Sequence, residues 1–227
     1  QAEMAFVDTA YSLRGESAWD PQVVLVDVDD VTLREFGWPL PRHLYANLLL
    51  VAFQNGAKVV GFDVLFLDEK DPEYEGLMAR ASKMMGPVVY PSDYQLYDSP
   101  SGQTNFVPDE VQHPIEVLAQ ASAGLAHLGL DTSIDGTVRR VPLSLEADPK
   151  PFTLALRMLQ TAADPNQWSL QESPDRITVA WSTETPPTDV YLDRDGLAHI
   201  NFRTVRPEAS VTSLIEVMGA AAGEASL

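Results

Sequence analysis

Short apolar runs that turn acidic at their ends set the pattern of this chain. Val23-Val24-Leu25-Val26 is followed at once by Asp27, Asp29 and Asp30, and Val59-Val60-Gly61-Phe62 runs into Asp63 in the same way. A β-branched run without alternation predicts a strand buried on both faces of a parallel sheet, and its carboxyl end is where open α/β sheets hold ligands. Between the two runs, Arg42 to Gln54 has the spacing of an amphipathic helix, opened by Pro41 and closed by Asn55-Gly56. Strand, helix and strand predict a βαβ unit with Asp27, Asp29, Asp30 and Asp63 grouped at one end of its sheet.

The remaining pattern fills out an α/β fold. Residues 2 to 13 place Met4, Ala5, Val7, Ala10, Tyr11 and Leu13 on one side of a helix that stops at Arg14-Gly15. Val31 to Phe36 is a short helical turn ended by Gly37, and Glu73 to Met85 is a longer helix broken by Gly86-Pro87. Val88-Val89-Tyr90 reads as a third strand, and 91 to 108, rich in Ser, Asp, Pro and Gly, as a surface loop. Ile115 to Ala121 is a short helix. Gly124 to Leu130 and Val138 to Leu145, joined by a turn ending in Asp135-Gly136, predict a β-hairpin. Helix 152 to 163 follows, then the hairpin pattern again: Ile177 to Trp181, Val190-Tyr191-Leu192, the turn Asp193-Arg194-Asp195-Gly196, and Leu197 to Phe202. The last helix is expected over Thr212 to Met218, with a frayed end. The fold class is therefore α/β: a mixed sheet with a βαβ core, flanking helices and appended antiparallel hairpins. Domain organisation is expected as a helix over 1–15 and a single domain over 16–227.

Composition narrows the partners. The 227 residues are 45% hydrophobic and 21% charged, enough for a full core. Against 15 Lys and Arg stand 33 Asp and Glu, a formal charge of −18. Nucleic acid is thereby excluded, since its phosphates need clustered basic residues, and anionic lipid surfaces are disfavoured for the same reason. No apolar run approaches the roughly 18 residues of a membrane span. The chain does not begin with Met and is expected to be part of something longer. It has no Cys, which removes disulfides, thiolate metal sites and a Cys nucleophile.

Candidate chemistry is sparse. Asp27-Val28-Asp29 matches, as letters, the nucleophile motif of haloacid-dehalogenase-like phosphatases, in which the first Asp attacks phosphorus and the second is general acid around a magnesium ion. The Ser or Thr, Lys and late acid pair of that machinery have no convincing counterparts. His43, His113, His127 and His199 lack metal-ligand spacing, the Asp-Gly pairs are turn chemistry before calcium chemistry, and there is neither a Gly-x-Ser-x-Gly elbow nor a phosphate-binding glycine loop. No metal and no cofactor is assigned. The candidate site is a crevice of Asp27, Asp29, Asp30 and Asp63 with Arg42, Arg139 and Arg140. Structural pairing of these arginines with the acids ranks ahead of contact with an anionic ligand, because unpaired buried acids are costly.

Several segments together resemble one family. Val24-Leu25-Val26-Asp27-Val28-Asp29-Asp30-Val31-Thr32-Leu33, Phe36-Gly37-Trp38-Pro39-Leu40-Pro41-Arg42 and the run Gly56 to Phe66 are similar to the opening of the second CHASE family of sensor domains, and Asp135 to Leu143 and Ile200-Asn201-Phe202-Arg203 to its later hairpins. Thr32 stands where that family commonly has Ser, and such domains usually continue into a further apolar strand and transmembrane helices, so the domain is expected to be truncated at its C-terminal end. The resemblance implies a non-catalytic input domain on the extracytoplasmic, periplasmic side of a bacterial membrane receptor whose output is an adenylate cyclase, a diguanylate cyclase or a kinase. It implies a tether to the membrane through segments outside this chain, with helix 1–15 juxtamembrane. A signal from a small molecule or a protein would shift packing, within a homodimer, and the terminal helices would carry the displacement across. The alternative is the magnesium-dependent phosphohydrolase using Asp27 and Asp29.

Overall fold

The computed structural model describes residues 8–10, 13–14, 20–98, 104–107, 110–132, 135–147, 149–200 and 211–224. The chain divides into two compact bodies, one built from 42–200 and the other from 1–41 with 201–227.

The larger body is organised on a parallel sheet. Its strands are β2 (Val60–Gly61), β3 (Val88–Ser92), β6 (Gly124–His127) and β9 (Phe152–Thr153), hydrogen-bonded in that order. All three neighbouring pairs are parallel: Val60 faces Val88, Tyr90 faces Leu125, Ser92 faces His127 and His127 faces Thr153. Helix α2 (Arg42–Gln54) precedes β2, and α3 (Pro72–Met84) links β2 to β3, so the βαβ unit is β2-α3-β3. Helix α3 starts where the sequence stops it from starting earlier: Pro72 occupies its first turn and the Asp71 carboxylate accepts from Tyr74 N at 3.3 Å. Every residue of β3 is buried, as a central parallel strand requires.

Alternation of side chains sorts the two faces of this sheet. On one face Tyr45 of α2, Phe62, Phe66 and Tyr90 form an aromatic cluster, Phe62 stacked on Tyr90 at 5.4 Å and Tyr45 edge-on to Phe66 at 5.1 Å. Ser82 of α3 closes it with a bond of 3.0 Å to the Tyr90 hydroxyl. On the other face runs α5 (Leu154–Ala162), capped by Thr153 Oγ1 accepting from Leu156 N. Residues 61 and 124 are glycine because α5 lies there: a Cβ on Gly61 would run into Met158, and one on Gly124 would stand 2.7 Å from Arg157 Cδ. The opposite side of α5 buries Leu156 against Ile177 and Val179, with Leu159, Trp168 and Trp181 around them. Those residues lie on or beside an antiparallel meander of β10 (Ser169–Ser173), β11 (Arg176–Ala180) and β12 (Thr188–Tyr191).

Three expectations for this body change. The helix expected over 152 to 163 begins only at Leu154, because Phe152–Thr153 is β9 of the parallel sheet. The stretch 91–108 is not an open loop throughout: β4 (Leu96–Asp98) and β5 (Thr104–Phe106) pair antiparallel. The expected hairpin of Gly124–Leu130 with Val138–Leu145 does not form, since Gly124–His127 is β6 of the parallel sheet. Instead β8 (Val138–Val141) pairs with the short β7 (Asp131–Thr132) on one side and β13 (Ala198–His199) on the other. The tight turns stand as expected, with Gly136 at φ 77° and Gly196 at φ 78°. Asp193 to Gly196 closes its turn through the bridge of Leu192 to Ala198.

The smaller body pairs β1 (Leu25–Asp27) in parallel with β14 (Val211–Ser213), with α1 (Asp30–Phe36) following β1 and α6 (Leu214–Glu224) following β14. Both helices begin on side-chain caps. Asp29 accepts from Thr32 N at 2.8 Å, and Glu216 reaches back to Ser213 N at 3.2 Å, as in a capping box. Gly37 at φ 74° ends α1. Helix α6 runs to Glu224, past the Met218 end expected. Residues 8–10 and 13–14 are helical, and the rest of the expected first helix lies outside the described residues.

Here the opening expectation is corrected. β1 is not a central strand and shares no sheet with β2: it pairs only with β14 among the described strands, and Val24 is 61% exposed. The four acids therefore do not line the end of one sheet. The β2 backbone bonds β3 instead, through Val60 N to Pro87 O and Phe62 N to Val89 O, both at 3.1 Å.

Candidate functional site

The acids and arginines singled out by the sequence fall into separate clusters. Asp27, Asp29 and Asp30 end β1 in the smaller body, whereas Asp63 follows β2 in the larger and is exposed. The Asp29 carboxylate is occupied by its cap, and the Thr32 N–H, chiefly, holds it below the usual carboxylate range. Thr32, fully buried, also bonds Ser213 across the β1–β14 ends at 3.2 Å.

Arg42 pairs with Glu75, an acid outside the predicted crevice. Its Nε donates to Glu75 Oε1 at 3.2 Å, its Nη2 donates to Asp68 O at 3.0 Å, and its guanidinium lies 4.7 Å from the Phe66 ring centre. Glu75 Oε1 also accepts from Lys70 N and Asp71 N. The pair is 7% and 1% exposed and ties the first turn of α2 to the first turn of α3 and the loop between β2 and α3. This is a clasp of the kind expected, closed on a different carboxylate.

On β8 the two arginines point to opposite faces and have different partners. Arg139 forks onto Asp135, with both bonds at 2.9 Å, and this pairing, with Thr137 N, takes the Asp135 carboxyl well below the ordinary range. Arg140 gathers three acids: Nε donates to Asp131 at 2.9 Å, and Nη1 to Asp193 at 2.7 Å and to Asp195 at 2.9 Å. Burial alone would lower the Arg140 pKa, but the three carboxylates outweigh it and raise it. Asp193 also accepts from Leu197 N and Asp195 N, so one cation fixes the 193–196 turn to the start of β7. The Arg140 group is a built electrostatic knot, with all its carboxylates already bonded.

A cluster missed by the sequence lies at the carboxyl ends of the parallel strands. Ser92, His127 and Thr153 end β3, β6 and β9 in register, with their side chains on one face. Ser92 and His127 are fully buried. Ser92 Oγ bonds Nδ1 of the exposed His113 at 2.9 Å, and the Tyr94 ring meets the His127 ring edge-on at 6.2 Å. His127 Nδ1 accepts from Gly129 N at 3.2 Å, which leaves the proton of the neutral ring on Nε2, and Nε2 has no partner among the described residues. Burial pushes this imidazole down to about 4. A sequence signal existed, a polar residue ending each of three short apolar runs, but histidines 14 residues apart carry no spacing motif. Among the described residues no group of His, Asp and Glu is arranged to hold a metal ion.

Comparison with known families decides what this scaffold is. The family model described as the CHASE2 domain matches residues 1–225. The chain belongs to the CHASE2 family. Searches of curated proteins and of solved structures returned no match. CHASE2 domains are extracytoplasmic sensory domains without catalysis of their own. That assignment leaves the phosphohydrolase alternative without support, and in this CHASE2 domain the Asp29 carboxylate is engaged as a helix cap rather than held ready as a general acid. No helix among the described residues is long and apolar enough to cross a membrane.

Proposed function

We propose that this CHASE2 domain is the input module of a bacterial transmembrane receptor, held on the periplasmic face, with an adenylate cyclase, diguanylate cyclase or kinase as its output. The observation that carries it is the family match across 225 residues. The geometry agrees with a transmitter of conformational change: Arg42, Arg139 and Arg140 are spent on Glu75, Asp135 and the Asp131, Asp193 and Asp195 group as clasps, which a signal can make or break to choose between packings. The active unit is a homodimer tethered through segments outside this chain, and the stimulus is a small molecule or a protein that binds one packing better than the other.

Absence of Cys from the chain makes the side of the membrane directly testable. Met84, 82% exposed at the end of α3, is replaced by Cys in the intact receptor. A membrane-impermeant maleimide is expected to label it in whole cells. Labelling only after the membrane is opened refutes the assignment, and a monomer at all concentrations in sedimentation equilibrium of the receptor refutes the dimer.

A further inference from the structure

His127 combines three features that the fold does not need for packing. It is fully buried, one ring nitrogen is engaged by the backbone two residues on, and the other is a buried donor without an acceptor among the described residues. An apolar residue of similar volume would fill the same space without the orphaned Nε2 donor, and only the Nδ1 acceptor for Gly129 N would be lost. The described groups around the ring also offer it no counter-charge. From β3 and its extension come Ser92, holding the exposed His113, and Tyr94, whose phenol burial pushes up. From β9 and α5 come Thr153 and, acting on Tyr94, Arg157, which is bonded to Leu125 O and Gln160. The connection to β7 supplies Gly129 and then Asp131, which is bonded to Arg140. None of the contacts recorded for the ring is to a carboxylate.

We infer that the proton is an input signal of this domain, read by His127: protonating Nδ1 turns it from acceptor to donor, breaks the Gly129 N–H bond and frees the connection from β6 to β7. The step is a simple proton transfer from hydronium to the Nδ1 lone pair, giving an imidazolium with N–H on both nitrogens. Its Nδ1–H then faces the Gly129 N–H, so the two must part, and the buried cation has no anion to stay for. Two residues on, Asp131 is the carboxylate that joins β7 to Arg140 and, through it, to Asp193 and Asp195. Release at Gly129 is thereby passed to the hairpin sheet. With the ring at about 4 when latched and near the ordinary 6.5 when released, full protonation shifts the latch equilibrium by about 300-fold. A shift of that size converts a latch closed in all but a few per cent of molecules into one mostly open.

This inference rests on the sensory assignment but is tested apart from it, by NMR on the 227-residue chain between pH 7 and 3.5. The ring nitrogen shifts of His127 are expected to show the Nε2–H tautomer at neutral pH and a midpoint between the latched and released values, well below 6.5, with protection of the Gly129 amide lost and the Arg140 Nε–H signal moving along the same curve. In His127→Phe the Gly129 amide is expected to be unprotected at every pH, and the Arg140 signal to lose the component that tracked the ring. A ring that titrates near 6.5 with Gly129 protection unchanged overturns the latch. So does an Arg140 signal that moves identically in the Phe variant, which would place the response on the carboxylates. Should the variant fail to fold, the wild-type coincidence of ring and amide curves decides alone. Either negative leaves the receptor assignment standing, and intracellular labelling at Met84→Cys would defeat that assignment without touching the titration.

Discussion

Replacing Arg42 by Met removes one side of a buried ion pair and keeps most of the aliphatic stem. Glu75 is then left 1% exposed with only the Lys70 and Asp71 amides for its charge. Uncompensated buried charges of this kind cost about 3–5 kcal/mol, which for a chain of this length lowers Tm by roughly 6–20 °C. Glu75→Gln keeps an acceptor for Arg42 and the amides while removing charge, and Arg42 retains Asp68 O and the Phe66 ring, so a smaller loss is expected, about 1.5–3 kcal/mol. The double variant Arg42→Met with Glu75→Leu leaves no orphaned charge and is expected to recover most of the single loss, because a well-packed apolar pair is often as stable as a buried salt bridge. Urea denaturation of these proteins and of Glu75→Leu alone, followed by far-UV circular dichroism, closes the cycle of Arg42→Met with Glu75→Leu. Losses below about 0.5 kcal/mol for Arg42→Met, or a double variant worse than the sum of the singles, would show that the clasp is not what closes α2 onto α3.

Arg140→Gln leaves Asp131, Asp193 and Asp195 facing one another without their shared cation, with an expected loss of roughly 3 kcal/mol in urea melts at neutral pH. Asp193 sits below its ordinary value because, despite burial, Leu197 N and Arg140 hold the charged form; that stability is present above pH 3.8 and is lost as pH falls through the folded value, so the deficit of the Gln variant narrows in acid. His127 has the opposite profile from a raised histidine: the folded ring resists its proton, so stability is full above pH 6.5, erodes as the unfolded chain alone is protonated down to about 4, and then levels, a change of at most about 3 kcal/mol that is absent in His127→Phe. Asp29→Ala is expected to expose the Thr32 amide to hydrogen exchange, whereas Asp29→Asn keeps it protected, since an Asn side chain caps a helix as well as Asp does.

How much of this could be read in advance follows from the range of the interactions involved. Gly37 marks the end of α1, Gly86-Pro87 the end of α3 and Asp-Gly pairs the two tight turns, because helix stops and turns are decided by residues within four positions of one another. The motif resemblance likewise lies in local strings, and it led to the right family. Strand partners are another matter. Val23-Val24-Leu25-Val26 and Val88-Val89-Tyr90 look alike as apolar runs, yet the second is wholly buried between β2 and β6, while the first pairs with residues 211–213 and leaves Val24 exposed. Gly124–His127 was drawn to the nearest β-branched run, but its backbone bonds β3 and β9.

The chain by itself determined most helices, the tight turns, the family and the abundance of acids seeking arginines, since these depend on neighbours along the backbone and on composition. Only the tertiary structure decided which acid each arginine took and that Ser92, His127 and Thr153 stand side by side. Glu75 lies 33 residues from Arg42 and Asp193 lies 53 from Arg140. At such separations, pairing is set by sheet register and helix packing rather than by any spacing written in the sequence.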